Sequence, residues 1–270
     1  KVFVEHYGST FDLFLAAYLS EVKETELVQL QQGGFVGEHA TSIQPMQRVL
    51  YDRLFTYGWR LNPKDQPFYA VRLEEFKQKY DECTGESEPI DALFVYGAPA
   101  DSRARKEHYE SCTKTIVRNL DTRKFPNIKM RPRATSRALR LTRVPEAFRG
   151  LPKSKLDQGR KDIAALCASS ELVVQLNMPS TNFLECIFVD QPVMGVDTNK
   201  MPTEIIKPFL YFFHACGVLH KNMESLISFL NTIELDAWWD EVMRDQKYQE
   251  FKRTFARSRK QYLLSVRGMT

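Results

Sequence analysis

An alternation along the chain constrains its fold most. Short, nearly continuous apolar runs take turns with longer amphipathic stretches. The runs are Val2–Glu5, Leu27–Gln31, Arg53–Tyr57, Ala92–Tyr96, Ile128–Arg131, Leu172–Leu176 and Val193–Val196. Between them lie Phe11–Val22, Leu73–Tyr80, Ala104–Leu120, Gln158–Ala168, Asn182–Val189 and Thr203–Cys216, where apolar residues recur at helical spacing. Strands apolar on both faces need helices on both sides. The pattern therefore predicts an α/β fold of βαβ units and mostly parallel sheets.

The segment Arg60–Pro67 holds two prolines within five residues and reads as a linker. A boundary is expected near residue 62, with one α/β unit over 1–61 and a second over 62–234. The last stretch, 235–270, reads as helical, with Asp236 as a plausible N-cap ahead of Trp238 and Trp239. The two tryptophans read as a packing anchor rather than a sugar platform. The chain opens directly in the run Lys1-Val2-Phe3-Val4 without Met, which reads as the end of a unit whose upstream part is missing.

Charge and cysteine usage narrow the function classes. The net charge is +4, from 38 basic and 34 acidic residues. That mild excess gives no case for nucleic-acid binding. Cys83, Cys112, Cys167, Cys186 and Cys216 form no CxxC pair, so neither a disulfide framework nor a zinc site is favoured, and a reducing, cytoplasmic compartment fits. No apolar run approaches the ~18 residues of a membrane span.

Two strand ends carry the residues suited to ligand chemistry. Gln31-Gln32-Gly33-Gly34-Phe35-Val36-Gly37-Glu38-His39 follows a strand directly. Glycines there permit close backbone approach, and strand C-termini face the ligand crevice of an open sheet. A plain glycine turn remains the alternative on spacing alone. The second strand end is Asn177-Met178-Pro179-Ser180-Thr181-Asn182-Phe183-Leu184-Glu185. Here Ser180 or Thr181 is expected to cap a helix whose N-terminus binds phosphate, with Glu185 one turn in to accept from sugar or ribose hydroxyls. A capped structural helix is the alternative. Arg131 ends another strand, suited to a diphosphate or to a plain surface position. It opens a basic loop, Arg131–Lys155, that either faces phosphate or is simply solvated. His6 ends the first strand as a possible base or a structural histidine. His214 and His220 lack metal-ligand spacing.

These segments, in this order, resemble a transferase family of bacterial surface-carbohydrate loci first described in leptospires. At greater distance they are similar to CDP-glycerol glycerophosphotransferases and capsule Kdo transferases. The resemblance is carried by Gln31-Gln32-Gly33-Gly34-Phe35-Val36-Gly37, Asp52-Arg53-Leu54-Phe55-Thr56-Tyr57-Gly58-Trp59, and Ser180-Thr181-Asn182-Phe183-Leu184-Glu185 with Gln191-Pro192-Val193. It continues through Gly217-Val218-Leu219-His220 and Trp238-Trp239 with Phe251. It implies a GT-B-like fold of two Rossmann-type units, the N-terminal one incomplete, and transfer of a glycosyl or similar unit from a nucleotide-sugar to a surface or capsular glycan acceptor. It also implies donor contacts from Arg131, Ser180, Thr181, Asn182 and Glu185, and backbone contacts from Gly33, Gly34 and Gly37. Neither a cofactor nor a metal is expected. A lipid-linked acceptor would bring the chain peripherally to the inner face of a membrane. The family's histidine stands as Gln32 here and its tyrosine as Val36, so His6, Glu38 or His39 would have to supply a base. A non-catalytic glycan-binding relative, a nucleotide-sugar epimerase and an assembly scaffold remain alternatives.

Overall fold

The computed structural model describes residues 2–4, 18, 21, 26–31, 51–85, 88–96, 103–132, 155–157, 161–176, 178, 180–197 and 205–267. Two parallel sheets organise them. The first contains β1 (Val2–Val4), β2 (Leu27–Leu30), β3 (Arg53–Thr56) and β4 (Asp65–Pro67), in that order. The second contains β5 (Ile90–Val95), β6 (Ile128–Arg131), β7 (Ser170–Gln175), β8 (Val193–Val196) and β9 (Leu219–His220), in the order β6-β5-β7-β8-β9. Every pairing is parallel.

The helices are α1 (Val71–Cys83), α2 (Arg103–Asn119), α3 (Ile163–Ala168), α4 (Thr181–Phe188) and α5 (Lys207–Ala215), then α6 (Met223–Thr232), α7 (Leu235–Arg244), α8 (Gln246–Phe255) and α9 (Arg259–Arg267). The period-two geometry of a strand explains how they divide. Leu93, Val173 and Val193 point to a core shared with α1, α3, α4, α5, α7 and α8. Ala92, Phe94, Leu172, Val174, Met194 and Val196 point the other way, toward α2 and α6. Apolar side chains on both strand faces thus account for helices on both sides.

Three local expectations are corrected. Asp65–Pro67, read as part of a linker, is a strand paired in parallel with β3. It terminates the sheet among the described strands, where a proline costs no ladder donor. Asp65 accepts from the N–H groups of Leu61 (2.8 Å) and Asn62 (2.9 Å), turning the chain into the strand. The helix expected from Gln158 starts at Ile163, because Asp162 caps it through Ala164 N–H at 3.0 Å. The N-cap of α7 is Glu234 rather than Asp236; Trp238 N–H already donates to Glu234 O at 2.9 Å. The tail, read as helical, holds α7, α8 and α9, with Asp245 capping α8 through Lys247 N–H at 2.6 Å.

The C-terminal helices run back to the first sheet. Arg257 N–H donates to Tyr57 O at 3.0 Å, and Ala70 N–H donates to Arg257 O at 2.9 Å. Leu27, Leu54, Tyr57 and Trp59 share one core with Phe209, Phe251 and Phe255. The rings of α5 and α8 meet edge to face, Phe213 to Phe251 at 4.8 Å and Phe209 to Phe255 at 5.7 Å.

Candidate functional site

In the second sheet the chain leaves β5 toward β6 and returns on its other side as β7. The C-terminal ends of β5 and β7 therefore flank a topological switch point, where open α/β sheets form their ligand crevice. Helix α4 starts just beyond β7, and α1 joins β4 to the second layer. The site lies where the first turns of α1 and α4 approach each other.

On the first-sheet side a tight turn follows β3. Thr56 Oγ1 donates to Trp59 O at 2.5 Å. Gln31 Oε1 accepts from both Tyr57 N–H and Trp59 Nε1–H at 2.9 Å. Gly58 has φ +129°, and a Cβ there would lie 2.8 Å from Thr254 O and 2.9 Å from Arg253 O. Only glycine lets this turn seat on α8. A cleft of about 200 Å³ opens beside it, lined by Gln31, Tyr57, Phe68, Tyr69, Arg72 and Glu75 among others. Tyr57 is buried, and burial pushes its hydroxyl above the ordinary range; nearby Arg72 opposes this, while Glu185 and Glu75 reinforce it.

From the second sheet comes a buried polar chain. Gln175, at the end of β7, donates from Nε2 to Asn182 Oδ1 at 2.5 Å. Asn182 Nδ2 donates to Glu185 Oε2 at 3.0 Å and contacts Cys167 Sγ at 3.7 Å. Glu185 Oε1 pairs with Arg72 Nε at 3.5 Å, an ion pair at the limit of a hydrogen bond. The carboxyl side chain is 6% exposed and the arginine 56%. Burial raises the Glu185 carboxyl above the usual range, opposed by the Asn182 hydrogen bond and the Arg72 charge. A buried acceptor and a half-exposed cation thus meet across α1 and α4. Such a pair suits a ligand carrying both hydroxyls and phosphates.

The structure gathers some of the expected residues and separates others. Asn182 and Glu185 join in this chain, but both are buried inside α4 rather than displayed on its surface. Ser180 occupies the N-cap position of α4 in extended conformation, yet its side chain makes no cap bond. Thr181 is the first residue of that helix. Arg131 ends β6, with β5 between it and β7. Its Nη1 donates to Lys161 O at 3.0 Å and lies 3.5 Å from Asp157 Oδ2. His6, Gln32, Gly33, Gly34, Gly37, Glu38 and His39 lie outside the described residues, as does most of the basic loop after Arg131.

Other singled-out residues serve packing. Trp238 Nε1–H donates to Cys216 O at 2.7 Å and Trp239 Nε1–H to Asp190 O at 2.8 Å. His214 bridges Leu219 O (3.0 Å) and Asp197 Oδ2 (3.2 Å), and His220 meets Gly217 O at 2.9 Å. Among the described residues no group of three or more His, Cys, Asp or Glu is placed to hold a metal ion. No described helix is long and apolar enough to cross a membrane.

Arg72 was missed in the sequence, although one signal was present. It is the second residue of α1, after the N-cap Ala70. A cation in a first helical turn opposes the helix dipole. Such a local conflict marks a residue placed for something other than helix stability.

Two parallel Rossmann-type layers meeting at a cleft define the GT-B-like class. A model of the LIC12162 family of transferases matches residues 2–266, and the chain belongs to that family. Among solved structures, the wall teichoic acid polymerase TagF soaked with CDPG superposes over 99% of this chain and 70% of its own, at 9% identity and TM-score 0.53. The UDP-GlcNAc 2-epimerase of Neisseria meningitidis bound to UDP-GlcNAc covers 97% of this chain and 74% of its own, at 10% identity and TM-score 0.54. The Methanocaldococcus jannaschii UDP-GlcNAc 2-epimerase covers 100% and 77%, at 10% identity and TM-score 0.53. These likenesses speak for the fold. No curated protein matches the chain.

Proposed function

We propose that this chain transfers a glycosyl unit from a nucleotide-activated donor to a surface or capsular polysaccharide acceptor. One observation carries the reading: Arg72, which lines the cleft, pairs across α1 and α4 at 3.5 Å with the buried Glu185 carboxyl. The TagF structure soaked with CDPG and the epimerase holding UDP-GlcNAc support a nucleotide-linked ligand for this fold.

In this reading Arg72 neutralises the donor diphosphate, and the positive end of α4, beginning at Ser180 and Thr181, faces the same group. Stabilising the leaving phosphate with fixed cations and helix N-termini lowers the transfer barrier without a metal. Glu185 accepts from a donor hydroxyl. The proton acceptor for the attacking hydroxyl comes from the strand-end group His6, Gln32, Glu38 and His39, in which Gln32 itself cannot act as a base.

A thermal-shift series with CMP-, CDP-, UDP-, GDP- and dTDP-linked ligands tests the donor site. Ligand at about 100 times its Kd stabilises by about 2.7 kcal/mol. One nucleotide class should raise the midpoint of the parent chain and fail to raise it in Arg72→Ala. No shift with any of them would overturn the reading. Conversion of a bound donor without acceptor would identify an epimerase instead, and binding without conversion a non-catalytic relative.

A further inference from the structure

Helix α9 has no part in the cleft chemistry and is unusual on the surface. From Phe251 to Arg267 the sequence contains no Asp or Glu, while Lys252, Arg253, Arg257, Arg259 and Lys260 crowd into nine residues. The next turn brings Leu263, Leu264 and Val266, which are 44%, 61% and 43% exposed. Three of the eight large hydrophobic residues exposed among the described residues therefore sit on this one short helix. Tyr262 faces the other way, its ring 4.8 Å from Phe68 and 5.9 Å from Tyr69. A groove of about 830 Å³ runs along the exposed side, with Leu263 and Leu264 opposite Phe188 and Val189, and Arg259 and Lys260 at its rim.

The acids bordering the groove are already engaged. Glu74 accepts from Arg259 N–H at 2.6 Å, and Asp190 pairs with Lys252 at 2.6 Å. Neither the Arg259 nor the Lys260 side chain has an ion-pair partner among the described residues. The Arg259 and Lys260 charges beside exposed Leu263 and Leu264 are complementary to a surface that is anionic outside and hydrocarbon beneath.

We propose that α9 and the basic segment before it seat the chain on an anionic phospholipid surface, with Leu263 and Leu264 entering the headgroup boundary. Because Tyr262 packs on Phe68 and Tyr69, which line the cleft, this seating brings the cleft beside the lipid surface. The proposal stands independently of what the cleft binds.

Co-sedimentation with vesicles tests it. The probes are phosphatidylcholine alone and phosphatidylcholine with one-third phosphatidylglycerol. The chain should pellet with the anionic vesicles and be released as salt screens the charges. Arg259→Gln/Lys260→Gln should weaken binding more than tenfold, from about fivefold per cation. Leu263→Ser/Leu264→Ser should weaken it comparably, with the thermal midpoint unchanged. Val117→Ser, an exposed apolar residue on α2, should bind as the parent does. Equal pelleting by parent and α9 variants, or no preference for anionic vesicles, would overturn the proposal. So would light scattering that shows a dimer lost on Leu263→Ser/Leu264→Ser, which would assign the face to a second copy.

Discussion

Glu185 is a carboxyl whose buried position works against its own charge, and this sets a pH dependence of stability. Its folded pKa lies above the unfolded value, mainly through burial. As pH rises past the ordinary glutamate range the unfolded chain loses its proton first, so the folded state holds more protons and stability falls. Glu185→Gln removes that titration. Its thermal midpoint relative to the parent should climb as pH rises above the ordinary glutamate range. A flat difference would mean that Arg72 and Asn182 cancel the effect of burial. Arg72 is expected to matter for ligand and, through the buried Glu185 carboxyl it pairs with, for stability. Arg72→Ala should lower the ligand-free midpoint, by about 1–3 kcal/mol for a buried group left without its partner, while abolishing the nucleotide-induced shift.

The junctions between elements rest on two backbone positions. Asp190, just after α4, has φ +58°, uncommon for a residue with a side chain. Its carboxylate accepts from Tyr248 Oη at 3.0 Å and pairs with Lys252 Nζ at 2.6 Å, while its carbonyl accepts from Trp239. Asp190→Ala leaves the nearly buried tyrosine hydroxyl without this partner and should cost about 1–3 kcal/mol in urea unfolding. Gly58→Ala adds a Cβ against two carbonyl oxygens and should cost about 1–3 kcal/mol or more by the same measurement. Strands β5, β7 and β8 were legible because their central residues are apolar on both faces, whereas β6 alternates Ile128 and Met130 with Lys129 and Arg131. Strand β4 was not, since Asp65-Gln66-Pro67 has strand pairing without strand composition. Helix α6 carries a readable signal as well: Asn222 as cap, then Met223, Leu226, Ile227 and Leu230 on one face. At the site, Glu185 was legible as a polar residue one turn into a helix. Its burial and its pairing with Arg72, 113 positions away, belong to tertiary packing and leave no local trace.

The two sheets share one continuous core with the C-terminal helices. The described structure should therefore unfold as a unit. Trp59 reports on the first sheet, while Trp238 and Trp239 report on α7. In a variant retaining only Trp59, the fluorescence transition in urea should coincide with loss of far-UV circular dichroism. Separate midpoints would show that the sheets are thermodynamically independent. The return of Arg257 to Tyr57 and Ala70 also has a consequence for biosynthesis. Roughly 200 residues separate the turn at Trp59 from the segment that seats it. At about 5–20 residues per second, translation leaves that turn uncovered for some 10–40 s. Nascent chains must wait, half-assembled, for the helices that cover this turn, so a ribosome-associated chaperone would find its substrate in strands β1 to β4 rather than in the finished fold.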